Sequence, residues 1–192
     1  VTWKQSSIGL SSSGAACVKI DPNNGNRLIV QGVNSAVNRN NGLNISTDGG
    51  ITFKPVLTNL SFAGKGDRRD SIAFDASSYS SSISGSAVAY WIFEDGTLYK
   101  TTNGGENWSA LCTNTDFANG HIFTHPKSSV VYIASEKGFF RSVDGGESFT
   151  QILTESITGI DVIDTCPNNV YLSSHSGTLI SNDSGLTFNK TE

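Results

Sequence analysis

Between Lys65 and Asp70, five charged residues fall within six positions: Lys65-Gly66-Asp67-Arg68-Arg69-Asp70. An Arg guanidinium presents a planar fork of donors that clamps a carboxylate or orients sugar hydroxyls, and a neighbouring Asp accepts hydrogen bonds or moves a proton. The run reads either as a ligand-facing cluster or as a solvated loop. Asn38 and Arg39, flanked by Asn34 and Asn40, sit on a second polar loop, and Trp91 and Glu94 stand near a third. Planar amides, carboxylates and aromatic faces are the groups with which proteins hold carbohydrate. The candidate ligand-binding set is therefore Asn38, Arg39, Asp67, Arg68, Arg69, Asp70, Trp91 and Glu94. Glu136, Lys137 and His175 occupy matching turns and read as ordinary exposed polar residues. Glycoside hydrolysis would need two carboxyl groups about 5 Å apart for retention or roughly 6.5–9.5 Å for inversion. The order of residues alone assigns no such pair, so the catalytic residues stay unassigned and the question of an enzyme stays open.

No metal or other cofactor is expected. Cys17, Cys112 and Cys166 are far apart, odd in number and without a C-x-x-C spacing. Burial as small hydrophobes is the favoured reading, with a disulfide between two of them left open.

The elements that must position these residues are announced by a repeat. Ser46-Thr47-Asp48-Gly49-Gly50-Ile51-Thr52-Phe53 recurs as Thr101 to Trp108, Ser142 to Phe149 and Ser181 to Phe188. The acidic or Asn positions, Asp48, Asn103, Asp144 and Asp183, are spaced by 55, 41 and 39 residues. That is the size of one four-stranded antiparallel sheet with its turns. Within the pattern, Asp or Asn accepts from nearby backbone N–H groups and Gly supplies positive φ. The aromatic then restarts an alternating strand, so these four Asp/Asn residues and Phe53, Trp108, Phe149 and Phe188 read as structural.

Short alternating apolar runs lie between the turns, with twenty Gly and abundant Ser, Thr and Asn. The fold predicted is all-β: a β-propeller of four-stranded antiparallel blades, about four blades plus one strand, forming an arc of a larger ring. The blades are placed at 15–57, 70–112, 119–153 and 157–192. Residues 1–8, with Val1-Thr2-Trp3, read as the outer strand of a preceding blade. With strands numbered outward, the repeated turn joins strands three and four. Loops between strands two and three, and between blades, then emerge on the opposite face with the candidate set.

The repeated turn resembles the Asp-box, Ser/Thr-x-Asp-x-Gly-x-Thr-Trp/Phe. Asp-boxes are found in sialidases, xyloglucan-cleaving endoglucanases, sortilin-type receptors and photosystem assembly factors. Four boxes cover nearly the whole chain. Gly64-Lys65-Gly66-Asp67-Arg68-Arg69-Asp70-Ser71-Ile72-Ala73-Phe74-Asp75 is in addition similar to the Gly-rich, Arg-containing segment ahead of an early blade strand in the endoglucanases. The resemblance implies a secreted propeller that binds or hydrolyses a polysaccharide. It also implies an incomplete catalytic pair, because that family's early Asp would lie upstream of Val1 and its second acid in a later half. The five Arg do not form a sialidase triad. The alternative is a non-enzymatic protein-binding propeller, such as a receptor, an assembly factor or an extracellular appendage component.

Bulk properties narrow the partners. Net charge is −4 with a pI near 5.3, and the thirteen basic residues are scattered, which excludes a phosphate-binding stripe and hence nucleic acid. No run of about eighteen apolar residues would span a membrane. Partners are a glycan or a protein, together with remaining blades from the same parent chain or another, in an extracellular or secretory-pathway setting. The Asn-x-Ser/Thr triplets at Asn44, Asn59, Asn107, Asn182 and Asn189 are about as many as chance supplies in so Ser-, Thr- and Asn-rich a chain.

Overall fold

Four meandering sheets follow one another along the chain, each built from four strands taken in chain order, with one small hairpin interposed in the second. The computed structural model describes residues 6–12, 14–33, 41–60 and 70–191. The first blade comprises β1 (Gly14–Asp21), β2 (Asn24–Val33), β3 (Asn41–Ser46) and β4 (Lys54–Leu60). The second uses β5 (Ile72–Phe74), then β8 (Ala89–Ile92), β9 (Thr97–Thr101) and β10 (Ser109–Thr113). Between β5 and β8 the Ser-rich connector forms a 3₁₀ turn (Ala76–Ser78) and a small hairpin, β6 (Tyr79–Ser80) with β7 (Gly85–Ser86). The third blade is β11 (His121–Thr124), β12 (Val131–Ser135), β13 (Gly138–Ser142) and β14 (Thr150–Leu153). The fourth is β15 (Ile157–Val162), β16 (Val170–Ser174), β17 (Gly177–Ser181) and β18 (Asn189–Lys190). Every pairing inside these sheets is antiparallel.

The core lies between blades rather than within them. A strand exposes alternate side chains to opposite faces, so an inner blade sandwiched by two neighbours buries both sets. In β12 all five residues are buried. Val131 and Ile133 pack with Tyr90, Ile92 and Leu98 of the second blade, while Tyr132 and Ala134 pack with Val170, Leu172 and Leu179 of the fourth. A third cluster joins Cys17, Ile29 and Leu43 to Ile72, Phe74 and Trp91 across the first junction. This is why these strands read as continuous apolar runs rather than strict alternation.

The box turns are closed by their own side chains. Ser46 Oγ donates to Asp48 Oδ1 at 2.8 Å and accepts from Gly50 N at 2.9 Å. The Asp48 carboxylate in turn accepts from Ile51 N, Thr52 N and Thr52 Oγ1. Thr101 with Asn103, Ser142 with Asp144 and Ser181 with Asp183 repeat the arrangement. Residues four and five of each box take positive φ, Gly in all cases but Ser184, the conformation in which a Cβ is costly.

The second, third and fourth boxes also grip the preceding blade. The carbonyl of the fourth residue in each accepts from Arg27 in the first blade at Gly104, from Tyr90 Oη (2.9 Å) and Lys100 Nζ (2.8 Å) in the second at Gly145, and from Tyr132 Oη (3.1 Å) and Arg141 Nε (2.8 Å) in the third at Ser184. Tyr90 and Lys100 are cross-strand partners, as are Tyr132 and Arg141. The connector hairpin docks the same junction from the box side, where Asp21 accepts from Ser86 N and Oγ at 2.8 and 2.6 Å.

Residues 1–5, expected to form the outer strand of a preceding blade, lie outside the described residues. Ser6 to Ser12 cross the free face of the first blade, through a parallel bridge of Ile8 with Thr52 and hydrogen bonds from Ser11 to Asn44 Oδ1. Cys17 is buried, Cys112 half-buried and Cys166 exposed, all three free, so the expected burial fails at Cys166. Asn44 is fully buried on β3, so a glycan there would not fit this packing.

Candidate functional site

Successive strands reverse direction, so within each blade the box turn and the strand one–two turn share a face. The strand two–three turns and the inter-blade links share the other. On that other face, three successive blades bring one residue each to a common point. Lys19 projects from β1, Asp70 stands just before β5, and Phe123 lies on β11. Lys19 Nζ is 2.5 Å from Asp70 Oδ1 and 5.4 Å from the Phe123 ring centroid. Both charged side chains keep about a third of their surface, 31% and 39%, so the pair faces solvent and is accessible.

Asp70 is fixed by its backbone. Its φ is +58°, a left-handed conformation that Asp tolerates better than most residues, and its carbonyl accepts from Ile122 N at 2.8 Å. The neighbouring Ser71 Oγ donates to the buried Gln31 Oε1 at 2.6 Å. The link from the first blade is thereby tied to β2 on one side and β11 on the other. Chemically the cluster offers an ionised acceptor, an ammonium and an aromatic edge, a combination suited to holding hydroxyl-rich ligands.

The candidate residues fall into four groups. Asn38, Arg39, Asp67, Arg68 and Arg69, with Asn34 and Asn40, lie outside the described residues. Asp70 is at the cluster. Trp91 is not available: it is 0% exposed, packed at 5.3 Å from both Phe93 and Tyr99, with its indole N–H donating to Gln31 at 3.3 Å. The register explains this correction. Trp91 pairs with Ile72 on β5 and shares its side of the sheet, against the first blade, so the ring is core rather than a platform. Glu94 is half-buried in the β8–β9 turn, while Glu136, Lys137 and His175 are exposed at the equivalent turns. Lys19 and Phe123 escaped sequence reasoning because each sits inside an ordinary strand, and only blade adjacency joins them to Asp70.

On the box face, a groove of about 350 Å³ lies against Lys100, Asn103, Trp108 and Glu147, and a smaller one of about 160 Å³ lies against Arg141, Thr150 and Leu186. They recur at successive junctions beside the outer strands. Trp108 there donates its indole N–H to Gly105 O at 2.9 Å, while Phe149 and Phe188 meet Phe117 and Phe139 edge-to-face at 5.0 and 5.1 Å. No group of three or more metal-ligating side chains occurs among the described residues. No helix among them is long and apolar enough to cross a membrane.

No protein-family model matches the sequence, and no curated protein matches it either. Solved structures do. A GH74 enzyme from Niastella koreensis superposes with a TM-score of 0.67 at 19% identity, over 90% of this chain and 28% of its own. An ancestral GH74 enzyme gives 0.66 at 17% identity, over 100% and 25%. An auxiliary nutrient binding protein from Bacteroides thetaiotaomicron gives 0.58 at 17%, over 93% and 41%. The chain thus spans about a quarter of the length of the GH74 enzymes it superposes on. At such identities the likeness is one of fold, and it agrees with the sheet order: the chain is a run of four Asp-box β-propeller blades, similar to those of the GH74 propellers.

Proposed function

We propose that the chain is part of an exported, carbohydrate-associated propeller that holds a polysaccharide or glycan on the face opposite its box turns. The observation that carries this reading is the convergence of Lys19, Asp70 and Phe123 from three successive blades; Asp67, Arg68 and Arg69 precede Asp70 in sequence. Its fold neighbours, GH74 enzymes and a nutrient-binding protein, support a carbohydrate-related role. Binding is the reading favoured over hydrolysis, because Asp70 is already paired with Lys19 and hydrolysis asks for two carboxyl groups at a defined separation. The Asp67→Ala/Asp70→Ala double variant tests it on a glycan array and in hydrolysis assays with soluble polysaccharides. Loss of at least tenfold in signal is expected; unchanged binding and unchanged hydrolysis would remove this face as the site.

A further inference from the structure

In the first three blades, strand one ends in a side chain that closes the turn to strand two. The residue after the last regular ladder pair is Asp21 in the first blade, Asp75 in the second and His125 in the third. All three are buried, at 1%, 4% and 7% exposure. Each accepts from the backbone N–H two positions on: Asp21 Oδ1 from Asn23 N at 2.9 Å, Asp75 Oδ1 from Ser77 N at 2.9 Å, and His125 Nδ1 from Lys127 N at 3.1 Å. The main chain repeats as well, since Asp75 N donates to Val88 O at 2.9 Å and His125 N to Val130 O at 2.8 Å. The third blade thus fills a carboxylate's place with an imidazole.

The exchange changes what acid does. A carboxylate remains an acceptor at the pH where His ordinarily takes up a proton, whereas a protonated imidazole has only donors. Accepting at Nδ1 leaves the proton of the neutral ring on Nε2, and the ring is hydrogen-bonded to the Asn168 side chain of the fourth blade. Asn168 in turn holds the fourth box: its carbonyl accepts from Ser184 N at 2.8 Å and its Oδ1 from Ser184 Oγ at 3.1 Å. The Ser184 carbonyl is the one that Tyr132 and Arg141 of the third blade grip. His125, Asn168 and Ser184 therefore form a circuit through both blades at this junction. The charges that act on the ring are Arg141 from β13 and Lys127 from its own turn, while the fourth blade faces it with the uncharged Asn168.

We propose that His125 makes the docking of the fourth blade on the third sensitive to mild acid: protonation removes the acceptor that holds the β11–β12 turn, and the fourth blade loosens from the run. A proton on Nδ1 points at the Lys127 N–H, donor against donor, and sets the charge of the ring beside two cations. Burial first, then Arg141 and Lys127, holds the imidazole below its ordinary 6.5, opposed by the Asn168 hydrogen bond. A chain with this junction open takes up the proton at the ordinary value, so the closed junction has its full stability above that value and loses it as pH falls below. This window lies above the one in which carboxylates titrate. The circuit is on the box face, which makes it independent of the glycan site proposed for the opposite face.

Hydrogen exchange of the full chain, corrected for the pH dependence of the intrinsic rate, reads the junction. Between about pH 7.5 and 5, protection of residues 157–190 in the fourth blade should fall at least about fivefold more than that of residues 89–101 in the second. His125→Asn, which keeps an acceptor that does not titrate, should remove most of that step. His125→Asp, which reproduces the side chain of the first two blades, should do the same. Nitrogen NMR of the wild-type ring should show the neutral Nε2–H tautomer at about pH 7.5. A step of unchanged size in both variants, or none in the wild type, would overturn the proposal. So would a loss of protection shared equally by the second blade, or a ring found in the Nδ1–H form.

Discussion

Asp48 shows what the most conspicuous residues of the chain are for. Hydrogen bonds from the Thr52 hydroxyl and backbone, and from Ser46, hold its carboxyl near 2, below the ordinary 3.8. Asp144 and Asp183 are pushed down in the same way, first by Ser148 and Ser181 respectively. A carboxylate depressed in the folded state contributes stability that is complete above its unfolded value and is lost as pH falls through the folded one. The contribution of these carboxylates to the urea midpoint should therefore be constant above about pH 5 and fall between about pH 4 and 2. Asp48→Asn should flatten part of that slope, and the Asp48 carboxyl carbon should titrate in NMR near 2. These residues were legible from order alone because all their partners lie within four positions. Lys19 and Asp70 were not a legible pair, since 51 residues separate them, and Trp91 misled because an aromatic beside a turn looks the same whether it faces a ligand or a neighbouring sheet.

At the level of the element, the box is a turn and an inter-blade contact at once, and only the first role is visible in its motif. Its second Gly must lie against the preceding blade. A Cβ on Gly146 would meet Leu111 at 3.2 Å and Tyr90 at 3.3 Å, at a φ of +89°. Gly146→Ala should therefore cost about 1–3 kcal/mol, from backbone strain and crowding together. Gly25→Ala, with nothing within 4 Å and no positive φ, should stay within about 0.5 kcal/mol. Urea titration with an unchanged m-value is the readout. Tyr132 is a further case: burial raises its hydroxyl to about 12, so it remains a donor to Ser184 O across any working pH. Strand positions were legible from short apolar runs bounded by turn residues. The connector between β5 and β8 forms a hairpin whose Ser86 donates to Asp21 of another blade, a partner that local sequence does not reveal.

For the whole molecule, the three clusters at the blade junctions make stability a property of neighbours, so a blade is secure in proportion to the faces it has covered. The blade repeat was legible because its period survives in sequence. One consequence concerns time. In the contacts that hold the second, third and fourth boxes, the hydroxyl, ammonium or guanidinium belongs to the earlier blade, and the carbonyl it grips belongs to the later one. A chain leaving the ribosome therefore completes each docking partner before the segment that needs it has emerged. Synthesis and assembly share one polarity. Ribosome-bound chains halted beyond residue 153 should already hold the second and third blades in protease-resistant form, with the fourth adding itself as a last increment. Reversing the blade order by permutation should slow refolding in vitro far less than it lowers soluble yield in cells.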